Sequence, residues 1–313
     1  MKKVTILIPC YNEEQSLPLL YEQLNKLTIA HTEYQWEILF VNDGSKDNTI
    51  GVIKQLQDIE GGTNHISYLD LSRNFGKEAA MLAGFDYATG DCMVIMDADL
   101  QDPPELVHDM LKYWEEGYDD IYARRKDRGK ESWLRKQLSL AYYRLLQQTS
   151  RIDILQNVGD FRLLDRKCIE ALKEIRESER YTKGMFCWIG FNKKEILFNR
   201  NDRAGGNSSF NLFKLMNLGI EGITSFTTSP LRIATILGII VSIAAFIYMC
   251  YIIGKTLIYG DPVQGFPTLM VVILFLGGVQ LLSLGIIGEY LARVFNETKN
   301  RPVYVVKEYK GEY

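Results

Sequence analysis

VTILIPCYNEE, running from Val4 to Glu14, is an apolar, β-branched run that breaks at Pro9 and passes at once into polar residues. A short run of that kind, without the period of an amphipathic helix, reads as a buried strand ending in a loop. The early break also argues against a signal peptide, whose apolar segment is longer. Outward from it, a helical pattern from about Glu14 to Leu27, a strand at Glu37–Val41 and a second helix from about Asp47 to Ile59 continue the alternation. Ile66–Asp70, a helix from about Lys77 to Ala88 and the apolar run Cys92–Met96 extend it. Strands of unbroken Val, Ile and Leu must be covered on both faces, so the pattern predicts an α/β fold with a parallel sheet between helices. Ligands in such sheets sit beyond the carboxyl ends of the strands. Pro9-Cys10-Tyr11-Asn12-Glu13, Asn42-Asp43-Gly44-Ser45 and Asp97-Ala98-Asp99 all fall at such ends, which puts three separated segments on one rim.

The 313 residues are 47% hydrophobic and 24% charged, with 36 basic against 39 acidic side chains and a net charge of −3. That balance lacks the basic surface that nucleic acid requires, so nucleic acid is not an expected partner. The five cysteines are scattered and show no metal-ligand spacing, as reduced thiols do. The averages also conceal segregation, because the apolar excess lies past residue 230. Ile233–Ile253 and Thr268–Gly288 are each 21 residues without a charge, the length that crosses a hydrocarbon core of about 30 Å. Arg232 precedes the first, and Arg293, Lys299, Arg301 and Lys307 follow the second. The positive-inside rule therefore puts both ends in the cytoplasm. Asn211–Thr227 mixes Phe213, Leu215, Met216 and Ile220 with Lys214 and Glu221, as an amphipathic helix on a membrane surface does. The expected organisation is a cytoplasmic domain over 1–210, an interfacial helix over 211–230, a two-helix transmembrane hairpin over 231–291 and a cytoplasmic tail over 292–313. Gly277, Gly278, Gly285 and Gly288 would permit close helix packing, within one hairpin or in a homo-oligomer.

A further helix is expected over about 104–120, and 124–136 is dense in Arg and Lys ahead of a helix over about 132–150 that carries Trp133, Tyr142 and Tyr143. This basic segment reads as a solvated face or as a contact for an anion. Asp97 and Asp99 close an apolar strand, with Gln101 and Asp102 just beyond. Carboxylates so clustered repel one another unless a cation neutralises them, and oxygen ligands suit Mg²⁺ or Mn²⁺. Asp43 at the end of the second strand would accept hydrogen bonds from a base or ribose, or simply form a turn. Neither a G-x-G-x-x-G nor a P-loop occurs, so any phosphates must be managed by a metal and arginine.

VTILIPCYNEE (4–14), ILFVNDGSKDNT (38–49), LSRNFGKEAAMLAGFDYATGD (71–91), MDADLQDPPEL (96–106) and GDFRLLDR (159–166), with the two apolar spans, resemble the family-2 glycosyltransferases of GT-A fold. More narrowly they resemble the polyisoprenyl-phosphate glycosyltransferases, bacterial relatives of dolichol-phosphate mannose synthase. The resemblance implies a GT-A domain with a mixed, mostly parallel sheet. It implies that Pro9, Tyr11, Glu13, Asp43, Asp97 and Ala98 hold the nucleotide sugar, and that Asp99 and Gln101 hold the divalent ion. Asp160 becomes the candidate catalytic base, or else a group that orients the acceptor or the metal without taking a proton, with Asp99 and Arg203 as its partners in catalysis. Arg124, Arg135, Arg203 and Ser208 are implied on the acceptor phosphate, and Lys77 belongs to the same signature. One departure is Ser209, where the family often has Lys.

Glycosyl transfer builds negative charge on a departing diphosphate, which a metal and an arginine stabilise. A lipid monophosphate, with a second pKa of about 6, is already a nucleophile at neutral pH. The expected reaction is inverting transfer of a hexose, glucose first, from a UDP-sugar to undecaprenyl phosphate at the bacterial plasma membrane. The alternatives are another sugar such as N-acetylglucosamine or mannose, a processive synthase, whose Q-x-x-R-W motif is missing, and a non-catalytic scaffold that binds nucleotide sugars.

Overall fold

The computed structural model describes residues 1–58, 64–126, 158–178, 180–198, 229–259 and 265–311. It divides into two compact units, Met1–Leu215 with Arg301–Tyr313, and Met216–Asn300. In the first unit the expected alternation is present: β1 (Lys2–Cys10), α1 (Leu17–Ala30), β2 (Tyr34–Asn42), α2 (Thr49–Asp58), β3 (Asn64–Leu71), α3 (Lys77–Tyr87), β4 (Cys92–Ile95) and α4 (Leu106–Glu115). Two of the boundaries that differ from the sequence reading do so for identifiable local reasons. The first helix starts at Leu17 instead of Glu14 because the Glu13 carbonyl accepts the Ser16 and Leu17 N–H groups in a turn, and Pro18 then fits the first helical turn. The fourth helix stops at Glu115, since Gly117 takes φ +95°, and the chain enters a strand at Asp120.

That strand, β5 (Asp120–Arg125), is followed by β6 (Val158–Asp165), α5 (Arg166–Glu174), α6 (Thr182–Trp188) and β7 (Lys193–Phe198). After the second unit, β8 (Val306–Lys310) completes one eight-stranded sheet of order β7-β5-β6-β4-β1-β2-β3-β8. Four of its seven pairings are parallel, β1 with β2 and β4, β2 with β3, and β5 with β7, which makes the sheet mixed and mostly parallel. The centre of the sheet is dry: Val4, Ile6, Leu7, Ile8, Ile38, Leu39, Phe40 and Val94 are wholly buried. Helix α3 buries Ala79 to Phe85 against it, and a Cβ at Gly84 would collide with the Leu7 side chain. Cys10, Cys92 and Cys168 are buried free thiols, and Cys187 and Cys250 are free as well.

The expected tail over 292–313 divides. Its first residues continue a helix to Thr298, whereas Val306–Lys310 pairs antiparallel with β3. Lys307 bonds Asp70 at 3.0 Å, and Glu308 accepts from Lys54 at 2.7 Å and Tyr68 at 2.6 Å.

The second unit holds α7 (Ser229–Tyr259) and α8 (Phe266–Thr298), of 31 and 33 residues. Their apolar side chains face outward, with Phe246 62% and Leu281 72% exposed. Among the described residues one stretch, Phe275–Thr298, is long and apolar enough to cross a membrane, and Gly238–Tyr248 is a shorter apolar stretch. Of the two spans drawn from sequence, this measure meets one among the described residues. A Cβ at Gly277, Gly278, Gly285 or Gly288 would meet nothing within 4 Å, so these glycines mark no close helix contact among the described residues.

Candidate active site

The rim forms where strand order places it. Strand β6 runs antiparallel to β4 with Arg162 opposite Ile95. Asp160, two residues before Arg162, therefore comes level with Asp97, two residues after Ile95. Lys77, the first residue of α3, lies between them and donates from Nζ to Asp97 Oδ1 at 2.5 Å and Asp160 Oδ2 at 2.6 Å. Crowding around the ammonium disfavours its charge, but Asp160 and Asp97 outweigh that and raise its pKa above the ordinary lysine value. Burial alone would raise the Asp160 carboxyl; Lys77, Lys183 and Arg162 overcome it and hold the group below the usual carboxylate value. Asp160 Oδ1 is buried with no hydrogen-bond partner among the described residues, a state that costs about 1–3 kcal/mol unless a ligand relieves it.

The first two loops are laced together below the rim. Asn12, with φ +57°, donates its N–H to Ser45 Oγ at 3.0 Å and accepts the Lys46 N–H on Oδ1 at 2.8 Å. The Glu13 N–H reaches Thr49 Oγ1 at 2.8 Å. This leaves Pro9 half-buried and 41% of Tyr11 exposed at the loop. The Glu13 carboxylate accepts Ser16 Oγ at 2.5 Å. Burial raises its pKa, the Ser16 bond opposes this, and Asp99, Asp97 and Asp47 add to the rise. Glu13, Asp97 and Asp99 are thus close enough to feel one another's charge.

Asp99 sits in a tight turn in which Leu100 takes φ +61° and the Gln101 N–H donates to Asp99 Oδ1 at 3.2 Å. Ala98, Gln101 and Asp102 are buried around it. Among the described residues no three Asp, Glu, His or Cys side chains close on one point as a protein-only metal cage. A hard divalent ion carrying a diphosphate needs only one or two protein oxygens, because the phosphates supply others. The like-charge crowding of Asp99 with Glu13 and Asp97 fits that smaller demand.

Asp43 has a different employment from the one its position suggested. Both carboxylate oxygens are taken by backbone, Oδ1 by the Phe75 N–H at 2.7 Å and Oδ2 by the Gly76 N–H at 2.9 Å, which pins the loop that delivers Lys77. Gly44 next to it takes φ +60°, and a Cβ there would enter the backbone of Arg73 and Asn74, so only glycine fits. Arg124 on β5 is paired with Glu195 Oε2 at 3.0 Å. Arg135, Arg203, Ser208, Ser209, the interfacial helix over 211–228 and the aromatic segment with Trp133, Tyr142 and Tyr143 lie outside the described residues.

Sequence reasoning missed Glu78, Thr182 and Lys183. Glu78 Oε2 accepts the Thr182 N–H at 3.1 Å and also the Thr182 hydroxyl, fastening the start of α6 to the start of α3. No spacing signals a contact 104 residues apart. Burial and the Asp160 charge push the Glu78 carboxyl up to about 7 despite Thr182, Lys77 and Lys183. A carboxyl raised on folding is most stabilising when protonated, so its contribution is full below the unfolded value of about 4.3 and is lost as pH rises through 7. Glu78→Gln keeps the acceptor and removes the titration. The variant should gain on the wild type by a value on the order of 3 kcal/mol in going from pH 4 to pH 8; thermal melts at both values check this, and an unchanged gap would contradict it.

Residues 5–173 match the glycosyl transferase family 2, and residues 229–294 match the GtrB C-terminal hairpin. An uncharacterized glycosyltransferase of Synechocystis sp. is 45% identical over 99% of this chain and 96% of its own length. A prophage bactoprenol glucosyl transferase homolog of Escherichia coli is 41% identical over 98% of this chain and 99% of its own, and a bactoprenol glucosyl transferase of Shigella phage SfII is 40% identical over 98% of each. With a GT-A-type sheet carrying the acidic rim and these matches along almost its whole length, the chain belongs to glycosyl transferase family 2.

Proposed function

We propose that the protein transfers a hexose, glucose first, from a UDP-sugar to undecaprenyl phosphate with inversion. The observation that carries this reading is the meeting of Asp97, at the end of β4, with Asp160 on β6 across Lys77. A donor-side and an acceptor-side carboxylate then share one rim. The prophage bactoprenol glucosyl transferase homolog of Escherichia coli and the bactoprenol glucosyl transferase of Shigella phage SfII, alike along almost all of the chain, support the lipid acceptor and the sugar.

In this reading Pro9, Tyr11, Glu13, Asp97 and Ala98 seat the nucleotide sugar, and Asp43 acts from beneath by fixing the loop over 75–76. Asp99 and Gln101 would hold Mg²⁺ or Mn²⁺, which supplies positive charge to the leaving diphosphate. Arg203 adds a second positive charge there, and Arg124, Arg135, Arg203 and Ser208 receive the acceptor phosphate. Arg124 must then exchange Glu195 for a phosphate oxygen, a change that suits its half-exposed position. Asp160 is held as an anion, so it orients substrate more readily than it removes a proton; an acceptor that is already ionised makes a strong base unnecessary.

The exposed apolar faces of α7 and α8 support insertion in the plasma membrane as two spans, with the GT-A domain and both termini in the cytoplasm. Incubating the detergent-solubilised protein with undecaprenyl phosphate, Mn²⁺ and a panel of UDP- and GDP-sugars tests the assignment. UDP-glucose should give the fastest nucleotide release, and only with the lipid present. Release from another donor alone would reassign the sugar, and release independent of lipid would exclude the acceptor.

A further inference from the structure

We propose that Lys77 is a positioning residue for the transfer, clamping Asp160 to Asp97 through one carboxylate oxygen so that the other, Oδ1, is presented to an O–H group of the bound substrate. The inference rests on the glycosyl-transfer reading above and adds a residue to it. The ammonium has three hydrogens, all donors. Two are spent on carboxylates, one just beyond β4 and one on β6, at 2.5 and 2.6 Å, with charge on both donor and acceptor. The clamp leaves Asp160 Oδ1 buried and unpartnered among the described residues, and an O–H donor is the group that would satisfy an anionic oxygen there.

The Lys77 side chain is partly exposed, and its place is set by the chain on either side of it. Its backbone is fixed from before by Asp43, which holds the Phe75 and Gly76 N–H groups. It is fixed from behind by Glu78, which holds Thr182. That second latch also brings Lys183, the residue after Thr182, within electrostatic reach of both Asp160 and Glu78. The charged groups facing Asp160 are therefore Lys77 and Glu78 from α3, Lys183 from α6, Asp97 beyond β4 and Arg162 from its own strand. With three cations against it the carboxyl stays ionised at neutral pH, suited to accept a hydrogen bond and ill suited to take a proton. The O–H group is either a hydroxyl of the donor sugar or the acid P–OH of a singly protonated acceptor phosphate.

The full-length protein in detergent, with Lys77→Met, Lys77→Arg, Asp160→Asn and the double variant Lys77→Met/Asp160→Asn, provides the test, with kcat and the KM of each substrate measured at neutral pH and circular dichroism as the check of folding. Lys77→Met and Asp160→Asn should each lower kcat roughly a hundredfold. The double variant should be no more than about threefold worse than the poorer single one, because both remove the same arrangement. Lys77→Arg should recover at least about tenfold over Lys77→Met. A rise confined to the donor KM assigns Oδ1 to the sugar hydroxyl, and one confined to the acceptor KM assigns it to the phosphate. Losses that multiply, or a Lys77→Met variant within about threefold of the wild type, would overturn the clamp. If Lys77→Met does not fold, Lys77→Gln takes its place in the same cycle. Absence of any glycosylated lipid from the wild type would overturn the transfer reading itself, an outcome distinct from an active wild type indifferent to Lys77.

Discussion

Arg162→Ala should destabilise the catalytic domain by about 3–5 kcal/mol, the loss expected when one partner of a buried ion pair is removed. Arg162 is 2% and Asp120 0% exposed. One guanidinium nitrogen lies 3.2 and 3.1 Å from the two Asp120 oxygens, and the guanidinium carbon stands 3.7 Å from the Phe186 ring centre. The pair joins β5 to β6 with both side chains buried from solvent. Burial already raises the Asp120 carboxyl, with Arg162 and Lys193 pulling against it. Without Arg162 the anion is left almost alone, and a loss of this size is a large part of the 5–15 kcal/mol that holds a typical domain folded. Replacing both residues with apolar ones of similar volume should recover most of the loss. Chemical denaturation of the wild type and these two variants checks this, and a cost below about 1 kcal/mol for Arg162→Ala would contradict it.

The sequence makes legible whatever depends on local pattern. The first four strands and helices follow from apolar runs that alternate with helical periodicity, and the rim at Pro9–Glu13, Asp43 and Asp97–Asp99 follows from the ends of those runs. Strands β5 to β8 were beyond this method. Val158–Asp165 and Lys193–Phe198 alternate polar and apolar residues too weakly, and β8, Val-Lys-Glu-Tyr-Lys, is a polar edge strand held by partners more than two hundred residues away. The same limit applies within the site. Asp97 and Asp99 announce themselves as carboxylates at a strand end and Asp160 enters only through the resemblance of its Gly-Asp-Phe segment, whereas the use of Asp43 as a backbone anchor depends on which amides the folded loop brings to it. Glu78 and Lys183 depend on α6 reaching α3, which no spacing encodes.

The second large effect is expected at Asp99. Its side chain lies in the turn at Leu100, away from the sheet core, so Asp99→Ala should leave the fold intact. The carboxylate sits in a rim crowded with Glu13 and Asp97, and if Asp99 holds the divalent ion as proposed, its loss removes that ion's principal protein oxygen. Charge building on the leaving diphosphate would go uncompensated, at a cost of about 10²–10³ in kcat for one lost stabilising group, and more if the ion fails to bind. Nucleotide-sugar binding in the absence of metal should change little, because Pro9, Tyr11 and Asp97 remain.

Mass spectrometry of the lipid products from wild type and Asp99→Ala, each given undecaprenyl phosphate, UDP-glucose and Mn²⁺, puts the reaction and the site to a single measurement. The account predicts, for the wild type, a polyprenyl monophosphate heavier by one hexosyl unit, and no such species from the folded variant. An equal yield of the heavier lipid from Asp99→Ala would contradict the acidic rim as the place of transfer, and an unaltered lipid in both would contradict the reaction.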